Sequence, residues 1–142
     1  MQRLLSSAAF FAAICLVAGI ASAEESRPLH WETNSERAWK ETVSTGRMLL
    51  VYITTEGCIH CKRMERDTLA NAQVATQIRQ GFVAAKVQAQ DQPALIERLG
   101  VRMYPAMIIF APDSQVVDVI GGYQSPQEMQ NRLAAAAQKK KM

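Results

Sequence analysis

Three cysteines in 142 residues are too few for a fold held together by disulfide cross-links, and no second cysteine pair accompanies Cys58 and Cys61. A bridge between two residues so close in sequence closes a very small loop and constrains little of the unfolded chain, so a purely structural role explains this pair poorly. Structural zinc is a poor fit too: a tetrahedral site wants four ligands, and with no second cysteine pair only His30 and His60 are left to complete it. Charge of one sign is also scarce. The net charge is +3, and part of the excess sits in Lys139, Lys140 and Lys141, within a basic tail over 139–142 of the kind that is usually solvated. No nucleic-acid partner is inferred. The sequence has no internal repeat, and its length leaves no room for a second core beside the first.

What is present begins with a leader. Met1-Gln2-Arg3 is a short positive start, Leu4 to Ile20 is largely apolar, and Ala21-Ser22-Ala23 has the small-x-small pattern of a signal-peptidase site, so residues 1–23 read as a signal peptide cleaved after Ala23. A membrane-anchoring helix is the competing reading. Against it, the run contains Ser6 and Ser7 and is followed by acidic Glu24 and Glu25 rather than a basic stop-transfer cluster. Cys15 should leave with the leader, because bulky Ile14 precedes it where a lipoprotein signal carries a small residue.

The mature part reads as alternating helices and strands. Residues 24–32 are an irregular lead-in, and Thr33 with Glu36 has the spacing of a capping box, so a helix follows with Trp39 and Val43 on one face to Thr45, ended by Gly46. Residues 48–53 form a short apolar run, a buried strand. From Cys58 to Ala70 there is no Gly or Pro, and Met64 with Leu69 supplies an apolar face, so a helix starts at or beside Cys58; Val74 and Ile78 continue it beyond a break near Asn71. Residues 82–87 are a second strand, and Asp91 with Pro93 can start a helix that turns Leu95, Ile96 and Leu99 inward and ends at Gly100. Residues 106–110 and 115–120 form a hairpin about Pro112-Asp113-Ser114, closed by Gly121-Gly122. Ser125-Pro126-Gln127-Glu128 then starts a last helix running to about Gln138. Trp31 and Trp39 read as packing groups, and Met64, Met103 and Met107 as core filling.

A Cys-x-x-Cys pair at a helix start has a specific chemical use. The free amides and dipole there stabilise a thiolate on Cys58, while Cys61, one turn in, is shielded yet close enough to attack a mixed disulfide. The segment from Val51 to Lys62 resembles the strand, loop and active-site helix of thioredoxin-like proteins. A second stretch, Leu99 to Phe110, is similar to the family segment that carries a cis-proline facing the dithiol, and Gly121-Gly122-Tyr123 with the final helix fits the family's end. The likeness spans residues 33–138. It implies an α/β thioredoxin fold, a central four-stranded mixed sheet flanked by helices, with Pro105 cis although only about 5–6% of such bonds are cis in folded proteins. Among relatives, Cys61 to Leu69 with Ala72-Gln73-Val74 most resembles the exported C-terminal domain of the disulfide reductase DsbD, a reductant relay.

The resemblance implies a periplasmic thiol–disulfide oxidoreductase, with Cys58 as nucleophile and Cys61 as resolving thiol. A reductant or electron relay fits it better than a general oxidase. Protein thiols and disulfides are its implied partners, with a membrane electron donor behind it, no cofactor beyond the disulfide, and a monomer expected. The departures also count. Gly57 stands where thioredoxin has Trp before its first cysteine, and Ile59-His60 replaces Gly-Pro. Tyr52 occupies the position of thioredoxin's buried Asp, so Lys86, at the place of the family's strand lysine, lacks that partner, and Glu56 or water is left as proton acceptor. His60 resembles the His of the oxidase DsbA, which stabilises the thiolate; a solvent-facing residue of little effect is the other reading. Tyr104 falls where the family chooses substrates, or it is a packing tyrosine. The competing function is a binding module that holds Cu(I) between Cys58 and Cys61, since soft thiolates suit that ion.

Overall fold

The computed structural model describes residues 28–139; the leader with Cys15, its cleavage site, Lys140 and Lys141 lie outside them. Helix α1 spans Ser35–Thr45, and strand β1 spans Met48–Thr54. A short helix α2, Ile59–Arg63, runs directly into a π-helical turn, Met64–Leu69, before α3, Ala72–Gly81. Strand β2, Phe82–Gln88, is followed by α4, Pro93–Leu99, then β3, Ala106–Phe110, β4, Val116–Gly121, and α5, Pro126–Lys139. The four strands form one mixed sheet in the order β2-β1-β3-β4, with β1 parallel to β2 and the other neighbours antiparallel. This is the thioredoxin fold expected from the sequence, with five helices against one sheet.

The central strand explains why the apolar run at 48–54 has no polar face. Helices cover both sides of the sheet, so every β1 residue is buried. Period-2 alternation then divides its side chains between two cores. Leu50 and Tyr52 pack with Met64, Ile78, Met107, Ile120 and Leu133 beneath α2, α3 and α5. Leu49, Val51 and Ile53 pack with Ala38, Val83, Val87 and Ile96 beneath α1 and α4.

Several boundaries differ from expectation. Asn34, not Thr33, caps α1: its side chain accepts from the Arg37 amide at 2.9 Å. Ala38 and Thr42 form the buried face, so Val43 is exposed and Trp39 only half-buried. The capping box failed because Glu36 makes no bond back to Thr33, whereas an Asx cap one residue later needs no second partner. Asp91 sits in a single 3₁₀ turn, and α4 starts after Gln92 without a side-chain cap, its first position taken by Pro93. The last helix keeps its box: Glu128 Oε2 accepts from the Ser125 amide at 2.8 Å and hydroxyl at 2.7 Å. At the end of the lead-in, Glu32 forms a parallel bridge to Ala85, donating to Ala84 O at 2.9 Å and accepting from Lys86 N at 3.0 Å. That short pairing covers the outer edge of β2.

Candidate active site

Cys58 and Cys61 stand together where β1 gives way to α2. Gly57, with φ of 69°, turns the chain between them in a conformation that glycine adopts without a Cβ penalty. Cys58 is the N-cap of α2, and its Sγ accepts from the Cys61 amide at 3.1 Å. The two residues are disulfide-bonded with Cα atoms 5.2 Å apart. Their surroundings are unequal: Cys61 is buried at 2% exposure, whereas Cys58 is partly open. An amide already aimed at Cys58 Sγ can donate to a thiolate there once the bond is reduced.

Beneath Cys61 lies a cluster of four side chains, two of them brought together by the register of β1 and β2. Tyr52 and Lys86 are paired residues of adjacent strands, so their side chains share one face. The Tyr52 hydroxyl donates to Cys61 O at 3.3 Å, the Lys86 ammonium lies 5.7 Å from the Tyr52 ring centroid, and Trp31 tilts against that ring with centroids 5.5 Å apart. Lys86 Nζ is 2.8 Å from Glu65 Oε1. Burial first, and then the negative charge of Glu65, hold the Tyr52 phenol well above its ordinary range, so it stays a neutral donor. A cavity of about 930 Å³ opens on this cluster between Leu29, Leu69 and Gln73 and gives water a path to Glu65. Glu65 was the residue missed from the sequence. Its signal was the four-residue spacing from Cys61, one helical turn along the same face. Glu56 is instead exposed, with no hydrogen bond or ion pair among the described residues.

The opposite rim comes from the loop before β3. The Tyr104–Pro105 peptide bond is cis; Pro105 is buried and Tyr104 half-buried against the α1/α4 core. Met103 is not core filling. It is 58% exposed, with Sδ 2.7 Å from where a Cβ on Gly121 would stand, because the segment before Pro105 is irregular and lays the thioether across the glycine of β4. Met64 and Met107 are buried as expected. Ile59 is 76% exposed and His60 is exposed without a partner among the described residues, both on the first turn of α2. Among the described residues no cluster of three or more His, Cys, Asp or Glu side chains could hold a metal ion. No described helix is long and apolar enough to cross a membrane.

Comparison with known proteins agrees with this geometry. Residues 35–137 match the family described as "Thioredoxin-like domain". A thioredoxin from Thermus thermophilus superposes with a TM-score of 0.74 at 24% identity, covering 80% of this chain and 91% of that one. A structure titled DsbH oxidoreductase superposes with a TM-score of 0.72 at 12% identity, covering 82% and 89%. The C-terminal domain of Neisseria meningitidis DsbD, in its reduced form, gives 0.59 at 17% identity, covering 70% and 90%. At these identities the likeness establishes the fold. A comparison with curated proteins finds no match.

Proposed function

Because the chain belongs to the thioredoxin-like domain family and carries its Cys-x-x-Cys disulfide, it is a thiol–disulfide oxidoreductase, and we propose that it works in the periplasm as a reductant or electron relay. The observation that carries the reading is the asymmetry of the pair: a helix-capping, partly open Cys58 receiving an amide hydrogen bond, and a buried Cys61 one turn in.

In the reducing direction the Cys58 thiolate attacks one sulfur of a partner's disulfide, forms the mixed disulfide and releases the partner's other sulfur as a thiolate. Cys61 then loses its proton and attacks Cys58 Sγ. The internal disulfide forms, and the second partner sulfur leaves reduced. Glu65, one turn after Cys61 and open to the water-accessible cavity, is the carboxylate we assign to receive that proton, in place of the exposed Glu56. Lys86 holds Glu65 in place, and Tyr52 holds the Cys61 carbonyl. Pro105 and Tyr104 form the surface against which the partner's backbone lies, and His60, on the first turn of α2, favours the Cys58 thiolate. The leader-like residues 1–23 and the presence of Dsb proteins among the similar structures support export. A membrane donor would return the electrons.

The test is Cys61→Ser. With the resolving thiol gone, mixed disulfides on Cys58 should accumulate as partner-sized adducts that collapse on reduction, while the wild-type protein catalyses insulin reduction. A variant that traps nothing, beside a wild-type protein that reduces no insulin but retains copper through dialysis, would return the site to the Cu(I)-binding reading.

A further inference from the structure

Three basic side chains on the cysteine helix and the proline loop are employed by no step above. Lys62, next to Cys61, and Arg102, three residues before Pro105, are exposed, and neither side chain has a partner among the described residues. Arg63 differs because it is held in place. Its guanidinium carbon lies 4.2 Å from the centroid of the Tyr123 ring and its Nε 3.5 Å from Asp67 Oδ2, yet the side chain is 54% exposed.

Tyr123 is in turn fixed between the two halves of the site. On one side the Gly122 amide donates to Pro105 O at 2.8 Å. On the other, buried Thr68 donates from Oγ1 to Gln124 O at 2.6 Å, tying the segment to the helix that follows Cys61. The ring under Arg63 is thus anchored to both the proline loop and the cysteine helix. The neighbouring carboxylates cancel only part of the charge: Glu56, Glu65 and Asp67 stand against Lys62, Arg63, Arg66, Lys86 and Arg102. Glu65 pairs with Lys86, and Asp67 is shared between Arg63 and Arg66. Within residues 56–67 only Glu56 is a carboxylate without a cationic partner. The dithiol therefore has a cationic rim with one pre-positioned guanidinium. An arginine stacked on an aromatic ring loses little further freedom on binding, and its planar fork matches a carboxylate.

We infer that Arg63, presented on Tyr123, receives a carboxylate of the partner, so that the proteins exchanging disulfides here carry Asp or Glu beside the cysteine that Cys58 attacks. The inference rests on the oxidoreductase reading of the same site. Its test uses two synthetic peptides, each with one intramolecular disulfide, differing only in Glu or Lys on both sides of the first cysteine. Protein reduced with dithiothreitol, then freed of it, is mixed with each, and the exchange rate is followed by acid quench. The acidic peptide should react about fivefold faster at low salt, the size expected of an exposed ion pair, and the ratio should approach one at 1 M salt. Arg63→Glu should invert the preference. Lys40→Glu, the same charge change on α1 across the sheet, should keep it. Equal rates for both peptides with the wild-type protein, or identical effects of the two variants, would overturn the inference. Failure to exchange with either peptide and with neutral hydroxyethyl disulfide would instead remove the oxidoreductase reading, and the inference with it.

Discussion

A thiol's usefulness depends on what surrounds its sulfur, and the two cysteines are surrounded differently. Cys58 caps α2 and accepts an amide hydrogen bond, whereas Cys61 is closed off on the buried face of α2. With both thiols reduced, iodoacetamide at neutral pH should modify Cys58 quickly and Cys61 slowly, as resolved by peptide mass mapping; equal rates would break the assignment of roles. His60 supplies the second prediction. A cation on the first turn stabilises the thiolate, hence the dithiol form, and so raises the reduction potential. His60→Ala should therefore shift the glutathione-equilibrated potential towards thioredoxin's value of about −270 mV. An unchanged potential would leave His60 as a solvent-facing residue without a redox role. At this scale the Cys58–Cys61 pairing and the cis bond at Pro105 were legible, because each belongs to a short contiguous motif. Glu65 was not singled out, since its meeting with Lys86 depends on the register of β2 against β1 and on the turn that follows α2. Met103 was misjudged for a related reason: composition assigns methionine to cores, and only the path of the loop lays it over Gly121.

The elements show which local signals prevail and which yield to tertiary bonds. The helix after Cys58 was expected as one piece to Ala70, with a break near Asn71. It instead widens to a π-helical turn, where the Ala70 amide reaches Glu65 O at 3.0 Å, while Thr68 donates to Gln124 O from the last helix's entry loop. No residue type announces that widening, because its partner lies far along the chain. Asn71 does announce the break: its Oδ1 accepts from the amides of Gln73 and Val74 at 3.0 and 3.2 Å and starts α3. On the far edge of the sheet, α5 guards β4: Arg132 donates to Val119 O at 3.0 Å and Lys139 to Val117 O at 3.3 Å. The lead-in carries a prediction about pH. The Asn34 amide on its carboxylate, and then the nearby Arg37 charge, hold Glu32 below the usual carboxylate range. A depressed folded pKa stabilises the fold above the ordinary glutamate value of about 4.3, and that stabilisation is lost as pH falls through the folded value. Glu32→Gln should lower the Tm at pH 7, with the difference from wild type narrowing as pH is taken below the ordinary glutamate value of about 4.3. A difference that stayed constant across this range would show that Glu32 acts through packing alone.

Across the whole molecule, one sheet with two cores places a helix start and a proline loop side by side, and the site is what that arrangement leaves uncovered. The order of elements was legible because β1 is an unbroken apolar run and the helices are punctuated by Gly46, Pro93, Gly100 and Pro126. The mixed four-stranded sheet was not in the periodicity; it came through resemblance to the thioredoxin-like family, and the parallel and antiparallel pairings agree with it, while the strand order was not read from the sequence at all. The Cys58–Cys61 bond is assigned here as a working redox couple and not a fixed cross-link. Equilibrating the protein in a series of glutathione buffers, trapping free thiols by alkylation and weighing the products by mass spectrometry tests it directly. Cys58 and Cys61 should gain and lose two electrons together in one transition, at a potential between about −270 mV and about −120 mV, the range spanned by thioredoxin and DsbA. A disulfide that stays oxidised throughout, with a potential below about −300 mV as in structural cross-links, would contradict it.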